Sequence, residues 1–301
     1  MTMITRVTTQ MSMAAATARL QAGAAKLAQL TDQATTLKNI GKPSDDPVGT
    51  ASAMQVRKEQ AANAQYTRNA DDAVGWLANT DSALGDVYSV LSKVRDLTVQ
   101  AANTGTMSDT DRDAYVTQFQ ALAADLATSA NATYGTRSVF AGSSTAAVAY
   151  DAGTPSAPGS GWASATAPVD RRIGDGTTLR VDTPGTDVFG SGSSSVFSMI
   201  DSIVSDLQNG VNVNPRLNDV DAHIATVRGV QADVGVRHAA ALTAQSSLAS
   251  GAVSLESRRS SIEDKDLAKA VLDLQVQQTN YQAALAVTAK VLQPTLMDYL
   301  S

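Results

Sequence analysis

An apolar stripe with helical spacing runs along residues 262–292 of this 301-residue chain. Its members form two rows with neighbours seven positions apart, namely Leu267, Leu274, Tyr281 and Thr288, and Val271, Gln278, Leu285 and Leu292. The combined steps of four and three place all eight on one helical face. As one helix, residues 262–292 would be about 46 Å long at 1.5 Å per residue. Such a helix needs a partner, because it cannot bury its own stripe.

A second stripe begins at the N-terminus. It starts at Ile4, Val7, Met11 and Ala14 and continues through Leu20, Ala24, Leu27, Thr31, Ala34 and Leu37. This helix is expected to end near Gly41 and Pro43, because glycine and proline terminate helices. We predict axial packing between the two ends of the chain, through Leu20, Leu27, Leu37, Leu267, Val271, Leu274, Tyr281, Leu285 and Leu292.

The residues before Pro47 predict the start of a second helix. Proline suits the first helical position, and an aspartate before it accepts free amide hydrogens, so Asp45 or Asp46 is the predicted cap. This helix is expected to continue to about Ala102. Further helices are expected over 108–133, over 196–207 and after Asn214–Pro215.

Residues 141–195 differ in composition from the rest. They hold nine of the 20 glycines and four of the eight prolines. Short β-like pieces occur at 146–150, 177–181 and 187–189, and Asp175–Gly176 is typical of a hairpin turn. A flexible linker is the alternative, but Tyr150, Trp162 and Phe189 favour a small β-rich domain. The predicted divisions are 1–42 with 262–301, 43–140 with 196–261, and 141–195.

Composition excludes several functions. The formal net charge is −6, and no stripe of Lys and Arg is present to neutralise phosphates, so we predict no nucleic-acid partner. The absence of cysteine excludes disulfides and thiolate metal sites. No apolar run approaches the roughly 18 residues of a membrane span, so no membrane insertion is predicted. The N-terminus lacks a signal-peptide pattern, and export would use another route.

Candidate catalytic groups are sparse. His223 and His238 would lie about 22 Å apart on one helix, too far to share a metal. The three glutamates, Glu59, Glu256 and Glu263, form no Glu-x-x-His pair of the di-metal kind. We therefore predict no enzyme activity, no catalytic residue, no metal and no cofactor.

Motifs at both ends resemble one family. Residues 39–49, with Ser-Asp-Asp-Pro between two helices, and residues 69–77 resemble the N-terminal region of the bacterial flagellin-like family. Residues 262–270, Ile-Glu-Asp-Lys-Asp-Leu-Ala-Lys-Ala, and residues 278–285 are similar to its C-terminal region. The resemblance implies a mainly α fold, in which long coaxial helices from both termini form a helical bundle or rod with a small β-rich insert domain.

Two further segments resemble the subunits of this family that join hook and filament. Residues 139–142, Val-Phe-Ala-Gly, are similar to the piece where such subunits leave their helical part, and residues 293–300 are similar to their ending. The chain departs from that ending at Thr295, where serine is usual, and it lacks a terminal basic residue. The family resemblance therefore rests on more residues than the assignment to the junction does.

The resemblance implies an extracellular structural adaptor at the hook–filament junction, exported unfolded through the flagellar type III apparatus without a cleaved signal peptide. Its implied partners are other copies of itself in a ring, flagellin, an adjacent hook-associated junction protein, and an export chaperone at the C-terminal region. Flagellin itself is the nearest alternative. A helical-bundle sensor domain is an alternative from another class, but it would require a membrane span that the sequence lacks.

Overall fold

The computed structural model describes residues 2–103, 108–144, 146, 148–151, 162 and 167–291. The helices are α1 (Thr2–Thr36), α2 (Pro47–Asn103), α3 (Asp109–Ala130), α4 (Gly185–Phe189), α5 (Val196–Gln208), α6 (Leu217–Glu263) and α7 (Leu267–Val291). Two antiparallel pairs of strands accompany them, β1 (Thr133–Tyr134) with β2 (Arg137–Ser138), and β3 (Asp170–Gly174) with β4 (Thr177–Arg180). The prediction of a mainly α fold with long helices is confirmed.

The chain divides into two compact units. The first comprises residues up to Ala62 and from Ala252 onward, and the second comprises Asn63–Gly251. Both boundaries fall inside long helices, α2 and α6. The three-part division at residues 42, 140, 195 and 261 stays a prediction.

Helix starts follow the local chemistry of the sequence. The Asp46 carboxylate accepts a hydrogen bond from the Gly49 amide at 2.8 Å, which caps α2 at Pro47. The Asp45 carboxylate instead accepts one from the Lys42 amide at 2.9 Å and shapes the preceding turn. Helix α3 starts at a capping box, in which the side chains of Ser108 and Asp111 each accept from the backbone amide of the other.

The second unit is built on α2 and α6. Helix α2 buries two rows with a spacing of seven, Ala70, Leu77, Leu84, Leu91 and Thr98, and Ala73, Thr80, Val87, Val94 and Ala101. Helix α6 buries one such row, Val220, Val227, Val234 and Ala241. Side-chain contacts fix the two helices antiparallel, since Arg95 pairs with Asp221 at 2.6 Å and Gln245 donates to Asp71 at 2.7 Å. This spacing is typical of helices that pack as a coiled coil.

An aromatic cluster joins residues 140–197 to this core. The ring centroids of Phe140 and Phe189 lie 5.5 Å apart, and those of Tyr150 and Phe197 lie 4.0 Å apart in a stacked arrangement. Trp162 lies 5.2 Å from Phe189 and so closely over Gly185 that a Cβ there would collide with its ring. Removing the rings of Phe189 and Tyr150 would therefore expose Phe140 and Phe197.

Two predicted strands in this region are wrong. Residues 187–189 belong to helix α4, because the backbone turns at Gly185 and directs Phe189 into the aromatic cluster. Within 146–150, the described residues contribute only an isolated bridge from Tyr150 to Trp162. The predicted hairpin at Asp175–Gly176 is present between β3 and β4, with Gly176 at a φ of 68°.

Asp182, two residues after β4, ties the β3–β4 hairpin to α6. Asp182 is 2% exposed, and its two oxygens accept hydrogen bonds from Arg180 at 2.9 Å each and from the Val169 amide at 2.8 Å. Arg237 of α6 donates to the Asp182 carbonyl at 2.8 Å. Burial raises the pKa of Asp182, but the hydrogen bonds from Arg180 and Val169 outweigh it and hold that pKa below its ordinary value.

We expect Asp182→Asn to lower the free energy of unfolding at pH 7 by about 1.5–3 kcal/mol, the range for hydrogen bonds to a charged group. Because the folded pKa is lowered, the contribution of Asp182 is fully present above the ordinary value of 3.8 and is lost as the pH falls through the folded value. Chemical denaturation at several pH values measures both effects. Asp175→Asn, whose side chain is 97% exposed, is the control and should change stability little.

Candidate assembly site

Helices α1 and α7 pack side by side in antiparallel directions. The α7 residues turned towards α1 are buried or half-buried, namely Ala270, Leu274, Gln277, Tyr281 and Thr288. On α1 the corresponding face carries Ala16, Leu20, Gly23, Leu27, Leu30 and Ala34. The steps of three and four on both helices place these residues along one line of contact.

Gly23 sets the closest approach of this helix pair. The Gln277 side chain donates to the Gly23 carbonyl at 3.3 Å, and a Cβ at Gly23 would lie 3.2 Å from the ring of Tyr281. Glycine therefore lets the Tyr281 ring lie directly on the α1 backbone.

The predicted axial residues occupy different environments. Leu20, Leu27, Leu274 and Tyr281 are half-buried between α1 and α7. The others among the described residues are exposed, namely Leu37, Leu267, Val271 and Leu285. Leu292 lies outside the described residues. The assignment of all nine to axial packing stays a prediction.

The sequence reading missed a second exposed apolar row on α7. Leu272, Val276 and Val287 share a helix face that the predicted stripe does not include. Their steps of four and eleven are helical, so the pattern was present in the sequence. The seven-residue rows cover a different face of the helix and do not include these three residues.

Two connecting segments meet beside each other, residues 37–46 between α1 and α2 and residues 264–266 between α6 and α7. We call them together the paired break. The Asn39 amide donates to the Glu263 carbonyl at 2.7 Å, and the Lys265 amide donates to the Leu37 carbonyl at 2.9 Å. Leu37 has a φ of 54°, a left-handed backbone conformation that residues other than glycine rarely adopt.

These hydrogen bonds correct two expectations about helix length. Helix α1 ends at Thr36, before the predicted stop near Gly41, because Leu37 turns away to bond Lys265. Residues 262–292 do not form one helix, since α6 ends at Glu263 and α7 begins at Leu267. The Asp266 carboxylate accepts from the Lys269 amide at 2.9 Å and restarts the helix.

Glu263, the last residue of α6, adjoins the paired break. It is 4% exposed, and Arg57 lies 2.8 Å, Arg259 3.7 Å and Lys38 3.9 Å from its carboxylate. Lys38 also bonds Asp264, and that hydrogen bond lowers the pKa of Asp264. A cleft of about 180 Å³ adjoins Arg57 and Glu263 and is lined in part by Gly41 and Met54. A buried carboxylate surrounded by cations holds the two chain segments together.

The described residues were compared with the requirements of a metal site and of a membrane span. No three His, Cys, Asp or Glu side chains among them are arranged to hold a metal ion, and none of the helices among them has the length and hydropathy to cross a membrane. His223 and His238 both lie on α6 and are half-buried, and burial lowers the pKa of His223.

The paired break brings together the two motifs with family resemblance, residues 39–49 and 262–270. The model of the bacterial flagellin N-terminal helical region matches residues 7–145, and that of the bacterial flagellin C-terminal helical region matches residues 217–300. Together they cover well over half of the chain. The chain belongs to the bacterial flagellin family. Members of this family are structural components of the flagellum.

Similar proteins include both junction and filament proteins. Flagellar hook-associated protein 3 of Salmonella typhimurium is 28% identical over 223 residues, which is 69% of this chain and 68% of that protein. Flagellin of Escherichia coli O127:H6 is 38% identical over 74 residues, 25% of this chain and 13% of that protein. The structure of a flagellar hook-associated protein from Vibrio parahaemolyticus aligns with a TM-score of 0.65 at 20% identity, covering 73% of this chain and all of that one.

We expect Glu263→Gln to loosen the paired break, because the amide keeps the shape of the side chain but loses the buried charge that pairs with Arg57, Arg259 and Lys38. Amide hydrogen exchange at Asn39 and Lys265 should accelerate by about tenfold, equivalent to about 1.4 kcal/mol. The matched control is Glu256→Gln, at an exposed glutamate on the same helix, and it should leave both amides protected. Unchanged protection in Glu263→Gln would contradict the central role of this carboxylate.

Proposed function

We propose that this protein is a structural adaptor of the bacterial flagellum, joining the hook side to the flagellin filament. It assembles with copies of itself through α1 and α7, and its role is structural rather than catalytic. The observation that carries the proposal is the extent of the match to hook-associated protein 3, over two thirds of both chains, against 13% of the matched flagellin.

The surface of α7 supports assembly through this helix. Leu267, Val271 and Leu285 border the contact with α1 and remain exposed in the single chain. An apolar surface next to an existing helix contact is typical of a face that another subunit covers. The nine predicted axial residues, including Leu20, Leu27 and Leu292, belong to this assembly face in the proposal.

The adaptor role carries a set of partners and a location. We infer that its neighbours are other copies in a ring, flagellin on one side, and an adjacent hook-associated junction protein on the other. We infer an extracellular position at the junction, export without a cleaved signal peptide, and an export chaperone at the C-terminal region. The predicted three domains, with 141–195 as the outer one, remain part of this proposal.

Immunogold labelling of purified flagella tests the proposal against its nearest alternative. A strain lacking its own junction protein is complemented with this chain, and antibodies locate the protein. Label confined to a short zone between hook and filament, with filaments restored, is the expected result. Label along the whole filament would instead indicate flagellin, and label elsewhere would overturn both.

We expect Leu285→Asp to abolish filament attachment while leaving the single chain folded. Leu285 is exposed in the single chain, so the charge costs little there, but burial without a partner in an assembly costs several kcal/mol. Filament counts and the amount of exported subunit in the medium measure the effect. Gln282→Asp, three residues away and exposed, is the control and should keep filaments. Normal motility of the Leu285→Asp strain would argue against burial of this face.

A further inference from the structure

The paired break contains a residue whose backbone conformation does not suit its side chain. Leu37 has a φ of 54°, in the left-handed region where a Cβ lies too close to the following carbonyl oxygen. Leucine is among the residues that most favour a helix, and Leu37 is 40% exposed, so packing offers little compensation for this strain. The residues that follow, Lys38, Asn39 and Ile40, include no glycine or proline. The local sequence would therefore allow α1 to continue to Gly41.

The break between α6 and α7 is likewise not dictated by its own residues. Residues 264–266 are Asp-Lys-Asp and include no glycine or proline. Helical hydrogen bonds persist as far as the Asp264 amide, which donates to the Ser260 carbonyl at 2.9 Å. They resume at the Ala270 amide, which donates to the Asp266 carbonyl at 2.9 Å. Both breaks thus occur where no residue type that ends a helix is present.

The amides that bond across the paired break have alternative acceptors within their own helices. In an α-helix each amide donates to the carbonyl four residues earlier. The Asn39 amide, which donates across the break at 2.7 Å, would then donate to the Thr35 carbonyl. The Lys265 amide, which donates across it at 2.9 Å, would donate to the Ser261 carbonyl. Two bonds between segments are exchanged for two bonds within helices, so neither amide loses its acceptor.

Side chains favour the two arrangements through different contacts. In the paired arrangement Lys38 bonds Asp264, and the Lys265 ammonium donates to the Gln33 side chain at 3.0 Å. Lys38 and Asp264 are both partly exposed, and exposed ion pairs contribute little to stability. In the continuous arrangement these contacts are lost, but the strain at Leu37 is removed. The two arrangements are therefore close in free energy.

Glu263 keeps a counter-charge in both arrangements. Arg259 lies on the same helix, one turn earlier, and is 3.7 Å from the Glu263 carboxylate. Arg57, at 2.8 Å, belongs to α2 and not to the segment that pairs with residues 264–266. Only Lys38, at 3.9 Å, would be withdrawn when the segments separate. The buried carboxylate is therefore not left unpaired, which would be costly.

We propose that the paired break is a two-state joint. In the closed state α1 ends at Thr36, α6 ends at Glu263, and α1 lies on α7. In the open state α1 continues through Leu37 and α6 runs into α7 as one helix, so that both breaks disappear together. The joint separates α1 from α7 without unfolding either helix, and a partner that binds one state more tightly shifts the population towards it. This inference does not depend on the proposed function.

Nuclear magnetic resonance of the full-length chain tests the joint, because ¹³Cα chemical shifts distinguish helix from coil. The wild-type chain should show non-helical shifts at Leu37 and Lys265, between helical shifts in α1, α6 and α7. The variant Lys38→Ala/Asp264→Ala lacks the side-chain bond of the closed state. Its shifts should move to helical values in residues 37–40 and in residues 264–266 together.

Adding Leu37→Gly to this variant should restore the non-helical shifts in both segments. Glycine adopts the left-handed conformation freely and disfavours a helix, so the ratio of closed to open chains should rise at least about tenfold. Leu37→Ala in the same background is the matched control. It should stay open, because alanine favours a helix and keeps the Cβ that strains the closed state.

Several outcomes would overturn the joint. They are coil shifts in either segment of Lys38→Ala/Asp264→Ala, helical shifts in one segment only, and shifts unchanged from the wild type. Equal behaviour of the added Leu37→Gly and Leu37→Ala substitutions would overturn it too, as would coil shifts along α1 in the wild-type chain. None of these results bears on the proposed function, which the immunogold position tests separately.

Discussion

A short antiparallel bridge between Lys38 and Asp264, 226 positions apart in the sequence, organises the first unit of this protein. Its hydrogen bonds run from the amides of Asn39 and Lys265 to the carbonyls of Glu263 and Leu37. They align the end of α1 with the start of α7, so the two helices leave the bridge together and in opposite chain directions. The packing of α1 against α7 therefore depends on hydrogen bonds between two segments that are far apart in the sequence.

Helices with similar seven-residue patterns have different degrees of burial in this chain. In α2 and α6 the rows are fully buried, and they stabilise the second unit without another copy. In α7 only one face is covered by α1, and its remaining apolar residues are exposed. The stability of the second unit thus does not depend on the apolar residues that α7 leaves exposed.

The sequence predicted the helices well, because periodicity and capping residues are local signals. Pro47, Asp46 and Ser108 mark helix starts that the structure has within a residue or two. The left-handed turn at Leu37 and the break after Glu263 were not predictable in the same way, since both depend on hydrogen bonds between distant segments. Phe189 was misassigned to a strand because its side chain packs with aromatic residues from three other segments, and such packing has no local signature. The exposed row at Leu272 and Val276 was readable from spacing alone.

The β3–β4 hairpin is held at its base and free at its tip. Arg237 binds the main-chain carbonyl of Asp182, and the Asp182 side chain bonds the Val169 amide, so the base is fixed largely through backbone atoms. At the tip, Asp175 has a side chain that is 97% exposed and pairs only locally with Arg172. Peptide epitopes or affinity tags inserted between Asp175 and Gly176 would therefore extend into solvent without altering the base, which makes this turn a suitable position for displaying foreign sequence on the protein.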